Sequence, residues 1–287
     1  MKMKMIKKEI WKALHNRMFT FSIVIGLIIS LVNVVENARV VDDITAWLLD
    51  VIANEKCFSR SYQGCSLFIN WIAVNCSSLG NNLFYYIWPI LASMPYGWSY
   101  LSDRRTGMFY QLSVRSSVNN YFWAKYVAIF VSGGLVLFVP VFANLMINAL
   151  ICPYYVPQAL SSMTPIFDGS FMSEVFYTEP WIHAIVWCMV DFLWGGVAGC
   201  ICLIAGTKLR HPAMVILFPF AIFIVIDAII SLIQKQGMCN LEISPLKLAA
   251  AATVYHNPEW IVFGVIVILF AVTVVAGYCE VTRNELA

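Results

Sequence analysis

The chain has 287 residues, of which 61% are apolar and only 12% charged, and its formal net charge is +2. A soluble domain carries roughly a quarter charged residues, so this composition, with its strongly positive mean hydropathy, excludes one. What remains is an all-α polytopic membrane protein, because apolar runs long enough to cross hydrocarbon, about 20 residues each, recur along the whole chain.

The first element is basic. In "MKMKMIKKEIWKALHNRMF", Ile6, Ile10, Leu14 and Met18 recur every four residues, while Lys7, Lys8, Lys12 and Arg17 lie mostly off that stripe. This spacing predicts an amphipathic helix over residues 1–18, lying in the membrane interface with its apolar side in lipid and its lysines near anionic headgroups. Residues 19–287 then form a transmembrane domain with six spans, at about 19–35, 83–101, 126–151, 181–206, 213–233 and 260–278. The first span is followed by five more and by no small-residue cleavage site, so it reads as a retained helix rather than a secretory signal.

Lys and Arg fix the expected orientation. Of 18 such residues, only Arg39, Lys56, Arg60, Lys235 and Lys247 lie outside the N-terminal segment, the loops after spans two and four, and the tail. Basic loops stay on the cytoplasmic side, so both termini are expected there. The three remaining connections face out. Residues 36–82 carry "CSLFINWIAVNC", which reads as a small packed cap, and Cys57, Cys65 and Cys76. A disulfide between Cys57 and Cys65 would close the shortest loop, and free thiols are the alternative. Residues 152–180 contain Pro153, Pro157, Pro165 and Gly169 and read as irregular. Residues 235–258 hold "PLKLAAAATVY", apolar but too short to span and flanked by Pro245 and Pro258, and read as a re-entrant segment.

Catalytic chemistry is absent from the pattern. "AGTKLR" lacks the glycine spacing of a phosphate loop, no H-E-x-x-H occurs, and His15, His183, His211 and His256 stand apart. Cys200 and Cys202, two apart on a helix, point to different faces. No metal, no cofactor bound by this chain, no enzyme activity of its own and no nucleic-acid partner are expected. Two acids lie within spans, Asp191 and Asp227, at comparable depth. Each has two readings: a proton or substrate site, or a polar pin bonded to a neighbour such as Asn144 or Asn148.

The most polar stretch between apolar ones is "YLSDRRTGMFYQLSVRSS", within the loop 100–118. Asp103 is followed four residues on by Gly107, then by Leu112 and Arg115, with Tyr121 and Lys125 opening the next span. In this pattern and in its whole layout the chain resembles the permease subunit of a type-2 ATP-binding cassette (ABC) exporter, of the Gram-positive six-helix kind. The resemblance implies that this loop is a cytoplasmic coupling helix. Phe109, Tyr110 and Leu112 would seat in a cleft of a separate ABC ATPase subunit, with Asp103, Arg104, Arg105 and Arg115 setting its orientation and Gly107 breaking the chain away from span two. It also implies a second permease subunit, identical or homologous, with ATP and Mg held on the partner ATPase. A proton-coupled secondary transporter or an accessory membrane protein is the alternative.

Overall fold

In hydrocarbon every backbone N–H and C=O must be satisfied within the protein, which leaves helices as the simplest solution for long apolar runs. The computed structural model describes residues 2–53, 66–115, 117–157, 165–237 and 240–283, and it is helical with no strand among them. In chain order the helices are α1 (Lys2–Leu14), α2 (Arg17–Ala53), α3 (Leu67–Asn70), α4 (Leu79–Ser93), α5 (Ser99–Arg105), α6 (Met108–Arg115), α7 (Val118–Ile151), α8 (Ser173–Thr178), α9 (Pro180–Lys208), α10 (Pro212–Lys235) and α11 (Glu259–Arg283). Five of them, α2, α7, α9, α10 and α11, are long and apolar enough to cross a membrane. The chain is thus an all-helical membrane protein.

Helices α7 and α9 form the centre. Gly133 and Gly195 meet at their crossing so closely that a Cβ on Gly133 would lie 2.6 Å from the Gly195 carbonyl oxygen. Without a hydrophobic drive between helices in lipid, such close backbone approach is what holds them. Around this seam, Trp88, Trp187 and Trp194 are fully buried. By contrast, α10 and α11 bury little of their length and border the bundle.

Three elements differ from the sequence expectation. The run 83–101 is not one helix: α4 ends at Ser93, residues 94–98 form turns, and α5 begins at Ser99. Pro95 and Gly97 account for this, since a proline supplies no N–H and clashes with the preceding turn. The first apolar helix does not stop at residue 35, because α2 continues to Ala53. Its extension carries Glu36, whose carboxylate accepts from the N–H groups of Leu79 and Gly80 at the start of α4, and Val41, which packs on the core. At 1.5 Å per residue α2 is about 55 Å long, well beyond an apolar layer of about 30 Å. Finally, α1 packs on protein as well as facing its surroundings: Ile10 of the stripe packs on the cluster around Tyr96, Phe122 and Tyr126, and Ala13 is fully buried, while Trp11 and Met3, off the stripe, are exposed.

At the end of the bundle remote from α1, residues 66–78 and 240–258 interlock. Trp71 donates to the carbonyl of Val141 at 3.0 Å, and the Ile72 N–H to Asn144 Oδ1 at 2.9 Å. The segment 240–258 contains no helix, yet Leu248 and Ala249 are fully buried. Its backbone is satisfied partly from neighbours, with Trp88 Nε1 donating to the Leu246 carbonyl at 3.2 Å and the Ala251 N–H to the Ala73 carbonyl at 3.0 Å, and partly within the segment, where the Glu242 N–H donates to the His256 carbonyl at 2.8 Å.

Candidate functional site

The charged stretch 100–115 folds as two short helices hinged at Gly107, whose φ of +72° lies in the left-handed region that only glycine enters without steric cost. A side chain there would meet nothing within 4 Å, so the backbone angle, not crowding, calls for glycine.

What fixes α5 to the bundle is a buried charge network. Lys125 of α7 is only 2% exposed. Its ammonium lies 2.9 Å from Asp103 Oδ2 and 3.0 Å from Glu9 Oε2, and it donates to the Tyr96 hydroxyl at 3.1 Å. Tyr121 donates to Asp103 at 2.8 Å, Tyr96 to Glu9 at 2.7 Å, and Lys12 to Glu9 at 2.8 Å. One ammonium therefore ties α1, the turn 94–98, α5 and α7 together. Burial acts to raise the Glu9 carboxyl, but the Lys125 ammonium and the donated hydrogen bonds outweigh it and hold the group at about 2. The carboxylate stays ionised, as a fully paired buried charge must. A second set of ties runs to the end of α9 and the connection after it: Arg104 donates to the Thr207 carbonyl at 2.6 Å, and Arg105 to the Arg210 carbonyl.

The structure separates the residues expected to face a partner. Phe109 is not at the surface. It is fully buried, edge-on to Tyr100 and Tyr121 at centroid separations of 5.9 and 5.3 Å. The amphipathic turn of α6 points its aromatic anchor inward because Tyr100 and Tyr121 leave an apolar socket beneath it. Leu112 packs on the same cluster. Exposed on α6 are Met108 and Tyr110, with Gln111 beside them. Arg115 ends α6, and its side chain lies outside the described residues, as do Cys57 and Cys65 and any bridge between them.

The two intramembrane acids are not equivalent. Asp191 of α9 is fully buried and accepts from the Tyr85 hydroxyl at 3.0 Å, while its Oδ1 has no hydrogen-bond partner among the described residues. Asp227 of α10 pairs with Lys247 of the segment 240–258 at 2.9 Å. The lysine also donates to Ser231 at 3.0 Å. Neither acid uses Asn144 or Asn148.

Those two asparagines belong to a lattice that sequence reasoning missed. Asn37 Nδ2 donates to Asn33 Oδ1, to Asn148 Oδ1 and to the Asn70 carbonyl; Asn144 donates to Asn33 Oδ1, and Asn148 to Asn144 Oδ1. The signal lies in two pairs of asparagines four apart, 33/37 and 144/148, on apolar helices, where four-residue spacing puts each pair on one face. Lys125 belongs to the motif that opens α7, but its burial depends on Glu9, more than a hundred residues away, and no local pattern shows that.

Among the described residues no group of three His, Cys, Asp or Glu side chains is placed to hold a metal ion. No family model, no curated protein and no solved structure matches this chain.

Proposed function

We propose that the chain is the permease subunit of an ATP-driven exporter of the type-2 ABC class, working as a dimer of such subunits with separate ATPase subunits docked at the α1 end. The single observation that carries this reading is the anchoring of α5 and α6. A helix pair held by Asp103 to a buried lysine, by two arginines to the end of α9 and the connection after it, and by Phe109 in its socket, moves with α7 and α9 rather than independently of them. A motor outside the membrane needs such a stiff handle, because a loose loop would absorb its motion. On this reading Met108 and Tyr110 supply the contact, Phe109 and Leu112 supply the footing, and Gly107 sets the angle between the two short helices.

The rest of the layout follows. The α1 end, with Lys7, Lys8, Arg104, Arg105, Lys208 and Arg210, is cytoplasmic by the excess of basic residues, in a bacterial plasma membrane, and both termini lie there. α4 and α5 cross together as a broken sixth span, and 240–258 is a re-entrant segment whose buried backbone is satisfied by protein, as hydrocarbon depth requires. The export path lies in the dimer, and ATP and Mg act on the partner. The test is hydrolysis and flux: the purified chain alone turns over no ATP, and transport in reconstituted vesicles appears only when a nucleotide-binding subunit is added. Flux driven by a pH gradient without ATP overturns the reading.

One observation favours a second reading, proton-coupled transport: Asp191 is a fully buried carboxyl with a single hydroxyl partner among the described residues. It requires that Asp191→Asn abolish flux in a normally assembled protein, whereas a structural pin tolerates the amide.

A further inference from the structure

Between α4, α10 and the segment 240–258 lies a cavity of about 740 Å³, a size that accommodates one small amphiphile. Its walls are mainly apolar and aromatic, with Tyr85, Tyr86, Phe167 and Val254 among them, and Asn81 and Asn82 add two amides. Set in those walls is an ion pair, Asp227 with Lys247, whose side chains keep 22% and 40% of their surface exposed. The two charges come from different elements, so the pair also bridges α10 and the segment 240–258 over the cavity.

A site built this way has no net charge but a strong local dipole. A singly charged ligand meets one opposite and one like charge a few ångströms apart, so its attraction to one member of the pair is offset by repulsion from the other. A neutral apolar ligand leaves the pair intact and gains only burial. A zwitterion gives each member a new opposite charge: its ammonium goes to Asp227, with the tyrosine rings as further cation partners, and its anionic group goes to Lys247. From this geometry we infer that the cavity binds a zwitterionic amphiphile, a molecule with an ammonium and a phosphate or carboxylate at one end and an apolar chain that lies along Tyr86, Phe167 and Val254. The inference does not depend on how the chain is energised or on its partners.

The test uses the full chain purified in an uncharged maltoside detergent and three single-chain probes of matched length: lysophosphatidylcholine, lysophosphatidylglycerol and an alkyltrimethylammonium. Equilibrium binding is measured by native mass spectrometry. The expected result is one lysophosphatidylcholine per chain, bound about tenfold or more tighter than either singly charged probe. Asp227→Asn removes that preference. Thr253→Trp, which places a large ring in the cavity wall and keeps both charged residues, weakens all three probes, and thermal unfolding of both variants verifies that they are folded. Competition by two-chain phosphatidylcholine identifies a bilayer lipid as the source, and its failure to compete identifies a soluble amphiphile. Equal binding of the three probes to the unsubstituted chain, or undiminished lysophosphatidylcholine binding to folded Thr253→Trp, overturns the inference.

Discussion

Lys125 decides how the α1 end holds together. Its ammonium is the shared partner of two carboxylates from distant parts of the chain, so Lys125→Met leaves the buried Glu9 and the half-buried Asp103 without that cation. Breaking a buried pair from one side costs about 3–5 kcal/mol, and a large fall in the unfolding temperature of the detergent-solubilised protein is expected. Glu9 adds a pH dependence of known sign. Its carboxyl is held at about 2, below the ordinary 4.5, so its contribution is complete above pH 4.5 and disappears as pH falls toward 2. Thermal unfolding followed from pH 6 downward should show this loss, and Glu9→Gln should be less stable at pH 6 and lack that part of the slope. The neighbouring aromatics separate footing from contact. Phe109→Ala empties a buried socket and costs about 3–5 kcal/mol, while Tyr110→Ala, which removes an exposed ring that meets Phe109 edge-on, lowers the unfolding temperature far less and weakens attachment of the proposed ATPase subunit, read by pull-down from membranes.

Packing at the scale of helices rests on the α7–α9 seam. Any side chain on Gly133 or Gly195 meets the opposing backbone, so Gly195→Leu should drive the helices apart and greatly reduce the yield of folded protein. Gly264 of α11 has open space around the position a Cβ would take, with no atom within 4 Å, and Gly264→Leu should be tolerated; fluorescence-detected size-exclusion profiles compare the two. The long apolar helices were legible because a spanning run is a local property. Where the sequence misleads, the deciding partner lies elsewhere in the chain. Apolar content over 83–101 does not register the turns at 94–98, where the Pro95 carbonyl accepts from Asn16 at 2.9 Å. Residues 36–53 carry four acids and resemble a loop, yet α2 continues through them, tied to α4 by Glu36. Phe109 resembles an exposed knob because its socket is made by Tyr100 and Tyr121 on two other helices. Gly107 was legible since a charged, helix-prone stretch with one glycine has only one place to turn.

For the whole molecule, the expected topology puts the α1 end inside and the end bearing 240–258 outside. Single cysteines at Gln111 and Asp168, both exposed positions, in a background stripped of cysteine, should then react with an impermeant maleimide from opposite sides of the membrane, position 168 in intact cells and position 111 only after lysis. The central claim, that this chain is a passive permease driven by a separate motor, is tested most directly by isolating it from native membranes in mild detergent and measuring what accompanies it. The prediction is a complex of two permease and two nucleotide-binding subunits, whose ATP hydrolysis is lost when the partner is stripped away and restored when it is returned. A complex that contains no nucleotide-binding subunit, with transport by the chain persisting in vesicles free of ATP, would contradict it.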